Sequence, residues 1–196
     1  MHKQLDFYFA FGSPTAYLAH CRLQQLTAQY DLTVNYQPML LGGVFKATAN
    51  TSPVTIPAKG AYMLQQDLPR FSRRYGVPLN FNPHFPINTL NLMRGALAAE
   101  QLGCLAPYID AMFTAVWVDG KDMGDPGTVA ATLDDAGLDS EQLLALSQQP
   151  DIKAALVAAT EAAVERGCFG APTLFMDGEM YFGQDRLDFV EEALQG

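Results

Sequence analysis

The sequence predicts an α/β fold whose strands lie at the two ends of the chain, with a block of helices between them. Three observations carry this. Near the N-terminus the apolar run Phe7-Tyr8-Phe9-Ala10-Phe11 is followed by a helical pattern and then by the alternating run Leu32-Thr33-Val34-Asn35-Tyr36-Gln37-Pro38. Near the C-terminus two short β-type runs flank Asp177-Gly178, a strong two-residue hairpin signal. From Asn88 to Arg166 nearly every segment carries helical spacing.

Taken in order, Leu5 to Phe11 reads as a buried strand. Gly12 stops it. Ser13-Pro14 then opens a helix, because Ser accepts an orphan N–H as N-cap and Pro needs none at the first helical position. Ala16, Ala19, Leu23, Leu26 and Tyr30 keep one face of that helix apolar. Strand, helix, strand at this length is a right-handed unit, so the first two strands should be parallel. Leu40 to Pro57, with Gly42-Gly43, Pro53 and Pro57, reads as a long functional or linking loop. A helical pattern from Lys59 to Tyr75 should kink or restart at Pro69. Val77 to Pro86 reads as irregular. The helical block follows, punctuated by Gly103, Gly137 and Gly167, with Asp125-Pro126 and Asp139-Ser140-Glu141-Gln142 as helix starts. Thr173–Met176 and Glu179–Phe182 form the hairpin, and Gly183-Gln184-Asp185 should cap a last helix. With the helical block set aside as an insertion, this order is the thioredoxin plan. Its boundaries are residues 1–38 and 150–196 for the discontinuous thioredoxin-like domain and 39–149 for the all-helical insertion.

Bulk properties narrow the function. The chain has 196 residues, 49% of them hydrophobic, enough for one sizeable core. A formal net charge of −9 repels phosphate backbones and anionic lipid, which disfavours nucleic acid and membrane partners. No signal peptide and no run of membrane-spanning length is visible. Cys21, Cys104 and Cys168 are sparse and form no Cys-x-x-Cys, which reads as reduced thiols in a cytoplasmic protein.

Ser13 stands at the positive end of a helix and at the carboxyl end of a strand, where α/β folds place their ligands. In a thioredoxin plan that slot holds the redox Cys-x-x-Cys; here it reads Ser13-Pro14-Thr15-Ala16, so disulfide exchange is excluded at the site. Cys21 lies eight residues on, roughly 12 Å along the helix axis. Gly170-Ala171-Pro172-Thr173 is either a turn into an edge strand or a cis Ala171–Pro172 bond facing Ser13. In the second case the backbone N–H and C=O of Ala171 are free to pair with an extended ligand. Gln184 and Asp185 are cap residues or a site for an amino-acid end. Lys46, Asn50 and Lys59 offer polar contacts from the long loop region, and Phe45, Tyr62, Phe85 and Trp117 are core residues or apolar walls.

Four motifs taken together, Phe-Gly-Ser-Pro-Thr-Ala-Tyr-Leu from Phe11, Leu-Gly-Gly-Val-Phe-Lys-Ala-Thr-Ala-Asn from Leu41, Phe-Gly-Ala-Pro-Thr from Phe169 and Phe-Gly-Gln-Asp-Arg from Phe182, resemble the 2-hydroxychromene-2-carboxylate isomerase family. That family is close to the kappa-class glutathione transferases and to the DsbA-like thioredoxin branch. The resemblance implies a homodimer that uses glutathione to interconvert 2-hydroxychromene-2-carboxylate and trans-o-hydroxybenzylidenepyruvate, a step of aromatic-compound degradation. It implies that Ser13 is catalytic and hydrogen-bonds the glutathione sulfur. Ala171 beside Pro172 pairs with the cysteinyl backbone, and Gln184 and Asp185, following Phe182 and Gly183, hold the γ-glutamyl end. Asn50 and Lys59 reach the glycyl end. Lys46 is placed near the carboxylate of a small aromatic substrate, with Phe45, Phe85 and Trp117 as walls. A kappa-like transferase acting on electrophiles and a non-catalytic peptide- or thiol-binding module are the alternative readings.

Overall fold

The structure is a computed structural model and describes residues 2–196. Strand β1 (Lys3–Phe9) leads through the Ser13 cap into α1 (Pro14–Gln29) and back into β2 (Leu32–Pro38), which pairs parallel to β1. Strands β3 (Thr173–Met176) and β4 (Glu179–Phe182) form the Asp177-Gly178 hairpin, and β3 pairs antiparallel with β1. The sheet order is β2-β1-β3-β4, which leaves β1 central.

A central strand covered on both faces needs apolar residues on both. Leu5, Phe7 and Phe9 are completely buried on one face; Tyr8 turns to the other, edge-on to Phe175. This is why the opening run reads as uninterrupted aromatics. The strand begins two residues earlier than expected and ends at Phe9, leaving Ala10 to Gly12 as the link to the helix.

Between the sheet halves lie α2 (Leu41–Thr48), a short 3-10 turn (Pro53–Thr55), α3 (Pro57–Tyr62) and α4 (Leu68–Tyr75). The larger helices α5 (Leu90–Gln101), α6 (Leu105–Trp117), α7 (Pro126–Asp135), α8 (Ser140–Ser147) and α9 (Pro150–Glu165) follow, and α10 (Leu187–Gln195) ends the chain. Helix α2 replaces the first part of the expected loop. Gly42-Gly43 reads locally as a breaker, yet a Cβ at Gly43 would sit 3.1 Å from Thr160 on α9. The Leu40 amide donates to the same threonine's hydroxyl at 3.0 Å. Close docking on α9 outweighs the weak local propensity. The restart expected at Pro69 is present, built as a π-helical turn over Met63–Asp67 between α3 and α4.

Helix α6 is held to the sheet by packing and by side-chain hydrogen bonds. Phe113 lies 4.9 Å from Phe11 and 5.9 Å from Phe9, centroid to centroid. Buried His20 on α1 bridges Tyr36 Oη and Asp110 Oδ1, each at 2.8 Å. Helices α5 and α6 meet where Gly95 faces Tyr108, whose hydroxyl donates to the Leu92 carbonyl at 2.9 Å. A Cβ at position 95 would overlap that hydroxyl. Gly95→Ala is therefore expected to destabilise the protein. Overpacking costs about 1–3 kcal/mol, against a helix-propensity gain of about 1 kcal/mol for Gly to Ala. The lost Tyr108 hydrogen bond tips the balance. A raised midpoint in chemical denaturation would contradict this.

Candidate active site

The tip of α1 meets the turn before β3. Ser13 Oγ accepts the Ala16 amide at 3.1 Å, as an N-cap should. The same hydroxyl donates to the Ala171 carbonyl at 3.1 Å, and Thr15 Oγ1 donates to that carbonyl at 3.2 Å. The two hydroxyl oxygens are 2.9 Å apart. The Ala171–Pro172 peptide is cis. The expectation that the Ala171 carbonyl is free for a ligand is corrected here: two hydroxyls already occupy it.

A cleft of about 300 Å³ opens beside this cluster. Thr15, Ala171 and Pro172 form its floor, Phe45 and Asn50 one wall, and Phe182, Gly183, Gln184 and Asp185 another; Met63 and Asp67 close the far side. Ser13 stands just behind Thr15 and is 5% exposed. Asn50 fixes the wall it lines, its Nδ2 donating to the Phe169 carbonyl at 2.8 Å. The Phe169 and Phe182 rings lie 4.4 Å apart. Gly183 has φ of 101°, a conformation that favours glycine, and a Cβ there would come within 2.5 Å of the Asp185 carboxylate. Residues Gln184–Arg186 make a 3-10 turn and α10 starts only at Leu187, so Asp185 does not cap the last helix as expected. Its carboxylate, ion-paired with Arg186 at 2.5 Å, lines the cleft instead.

Other expected residues fall elsewhere. Lys59 lines an adjoining groove of about 380 Å³ with Tyr62, and that groove shares Pro53, Met63 and Asp67 with the cleft. Lys46 does not reach the cleft. One residue is about 100° around a helix, so with Phe45 turned into the cleft, Lys46 lines a separate cavity of about 610 Å³ between α2, α5 and α9. Trp117 is completely buried, donating its indole N–H to the Phe11 carbonyl at 2.7 Å. It belongs to the core and floors a recess of about 190 Å³ on the far side of Pro14. Phe85 packs on Trp117 at 6.0 Å, but Phe81, half exposed, lines that recess in its place.

Sequence reasoning missed Thr15, Asp67 and Phe81. Thr15 had a local signal, a second hydroxyl in the first helical turn after the cap. Asp67 had none, because a carboxylate in a polar helical stretch reads as solvated. The π-helical turn, a device frequent at functional sites, ends at Asp67. Burial and the facing Asp185 carboxylate raise Asp67 above its ordinary value of 3.8, with Arg70 opposing. Because the folded chain holds this proton to higher pH than the unfolded chain, Asp67 adds stability below 3.8 that is lost as pH rises through its folded value. Asp67→Asn is expected to leave the thermal midpoint unchanged at the acid end and to raise it at neutral pH. A variant less stable than the parent at neutral pH would contradict this.

The chain's own thiols are unsuited to chemistry here. Burial pushes Cys168 up to about 11, and burial likewise raises Cys21. Neither lines the cleft. A helix N-terminus bearing hydroxyls and no thiol, set against a cis-prolyl turn beside two carboxylates, stabilises an anion and holds a cation supplied by a ligand.

These features define a thioredoxin-fold protein without its redox cysteines, and the family model for the DSBA-like thioredoxin domain matches residues 4–195. A solved 2-hydroxychromene-2-carboxylate isomerase superposes with a TM-score of 0.89 at 32% identity, covering 98% of this chain and 94% of that one. The isomerase of Sphingobium xenophagum is 32% identical over 99% of both chains. The chain belongs to the 2-hydroxychromene-2-carboxylate isomerase family. Glutathione S-transferase kappa 1 of Homo sapiens is 28% identical, over 98% of this chain and 91% of that one.

Proposed function

We propose that this protein is a glutathione-dependent isomerase of 2-hydroxychromene-2-carboxylate. The observation that carries the reading is the hydroxyl pair at the α1 N-terminus, Thr15 lining a cleft without a cysteine and Ser13 directly behind it. Family membership then narrows the substrate to a small aromatic carboxylate.

The cleft fits the cofactor at three points. Asp67 and Asp185 are like charges that raise one of them, and an ammonium placed between them relieves that repulsion. The γ-glutamyl end carries one. The α1 N-terminus and its hydroxyls favour an anionic sulfur. Lys59 stands in the adjoining groove, suited to a terminal carboxylate. Glutathione held by Asp67, Asp185, Lys59 and the α1 tip would supply a nucleophilic sulfur able to add reversibly to a conjugated ring.

The residues bind and orient; none is a base for the thiol proton, which leaves to solvent. Ser13 and Thr15 present hydrogen bonds at the helix tip, and the helix dipole lowers the energy of negative charge there. Phe45 and Phe182 supply apolar lining to the cleft. The recess bounded by Pro14, Leu64, Phe81 and Trp117 lies against the same helix start and offers apolar walls to an aromatic ring.

The test is turnover of 2-hydroxychromene-2-carboxylate with and without glutathione. Conversion that requires glutathione supports the reading; conversion without it refutes the cofactor assignment. The likeness to the kappa transferase favours a second reading, conjugation of electrophiles. Activity on chlorodinitrobenzene with no isomerisation would select that one. Absence of any thermal shift with millimolar glutathione would count against both.

A further inference from the structure

Three oxygens meet at the tip of α1, and counting the protons between them shows one hydrogen bond in surplus. The Ala171 carbonyl receives two hydroxyls, Ser13 at 3.1 Å and Thr15 at 3.2 Å. One hydrogen bond suffices to satisfy a buried carbonyl. Ser13 is the constrained member: it is 5% exposed, and its oxygen also receives the Ala16 amide at 3.1 Å. Thr15 is the member that lines the cleft. If Thr15 turns its proton into the cleft, the carbonyl keeps Ser13, Ser13 keeps its amide, and no polar group is orphaned.

We infer that Thr15 is the hydroxyl donor in direct contact with the cofactor sulfur, while Ser13 keeps its single proton on the Ala171 carbonyl and so frees Thr15 to turn. This rests on the glutathione reading above and deepens it. The residue before Ala16 thereby gains a role that the Ser-Pro motif alone does not convey. No covalent bond is made or broken in this step. The thiol proton goes to solvent, the threonine keeps its own proton, and a neutral hydroxyl hydrogen bond is exchanged for one to an anion. Such bonds are shorter and roughly twice as strong as neutral ones, which gives the rotation its driving force.

The experiment compares the parent with Thr15→Val and Thr15→Ser. Valine matches threonine in shape and lacks the hydroxyl; serine restores it. The first readout is the ultraviolet absorbance of bound glutathione thiolate against pH. The second is affinity for S-methylglutathione, whose thioether cannot become an anion. Thr15→Val is expected to lower the thiolate-to-thiol ratio at neutral pH about tenfold, the low end for a hydrogen bond to a charged group. Turnover should fall in step while S-methylglutathione binds as before, and Thr15→Ser should recover most of the loss. An unchanged thiolate titration in Thr15→Val overturns the inference and leaves the glutathione reading intact. Equal losses of glutathione and S-methylglutathione affinity also overturn it, because they mark a purely structural role. A parent that forms no bound thiolate refutes both.

Discussion

Ser13→Ala is expected to slow glutathione-dependent turnover by about 10²-fold, in the range for loss of one donor to developing charge. The Ala171 carbonyl then keeps Thr15 as its one hydroxyl partner, and the sulfur loses its donor. The loss should fall on kcat more than on cofactor binding, because the hydrogen bond strengthens as negative charge gathers on the sulfur. Ser13 has a second task that has to be separated from the first. As N-cap of α1 it receives the Ala16 amide at 3.1 Å, and removing a cap costs about 1 kcal/mol. For a chain of this size that lowers the thermal midpoint by about 2–4 °C. Ser13→Gly separates the tasks, since glycine caps nearly as well yet has no hydroxyl. Glycine and alanine variants should therefore lose turnover alike while differing in stability. A glycine variant with parental turnover would remove Ser13 from the chemistry. Thr15 remains in both variants, so neither is expected to be inert.

Trp117→Ala is expected to have the largest effect on stability. The side chain is among the largest that are completely buried, and truncating such a residue costs about 3–5 kcal/mol. Part of the penalty has a specific address. The indole donates at 2.7 Å to the Phe11 carbonyl, two residues before Ser13. Without it a buried carbonyl loses its partner, at about 1–3 kcal/mol, in the link that sets the α1 tip. Trp117→Phe keeps an aromatic ring in the core but removes the donor together with part of the buried volume. It should lose less stability than Trp117→Ala, yet still loosen the tip and slow turnover. Denaturant titration beside steady-state kinetics checks both. A phenylalanine variant with parental stability and rate would show that the hydrogen bond contributes nothing there.

Much of the fold was legible because the informative residues act locally. The uninterrupted aromatics of Phe7 to Phe11 announce a strand covered on both faces, Ser13-Pro14 announces a helix start, and Asp177-Gly178 announces a hairpin. Each signal depends on the backbone preferences of a few adjacent residues. Helix α2 was not legible for the converse reason: Gly43 is there to let α2 approach Thr160, 117 positions further along the chain. Asp185 looked like a cap because Asp is among the preferred N-cap residues, but the 3-10 turn at Gln184 shifts the helix start past it.

The site divides along the same line. Sequence by itself determined that a hydroxyl, and no redox thiol pair, stands at the tip of the first helix, and its resemblance to a known family grouped Asn50, Ala171 and the Phe182 to Asp185 stretch around one ligand. Only tertiary structure decided the rest. It turned Phe45 into the cleft and Lys46 out of it, sent Trp117 to the core, brought Asp67 opposite Asp185, and put Thr15 in front of Ser13. These are choices about which way a side chain points and which distant segment it meets. Helix rotation and packing make those choices, and no local pattern of residue types contains them.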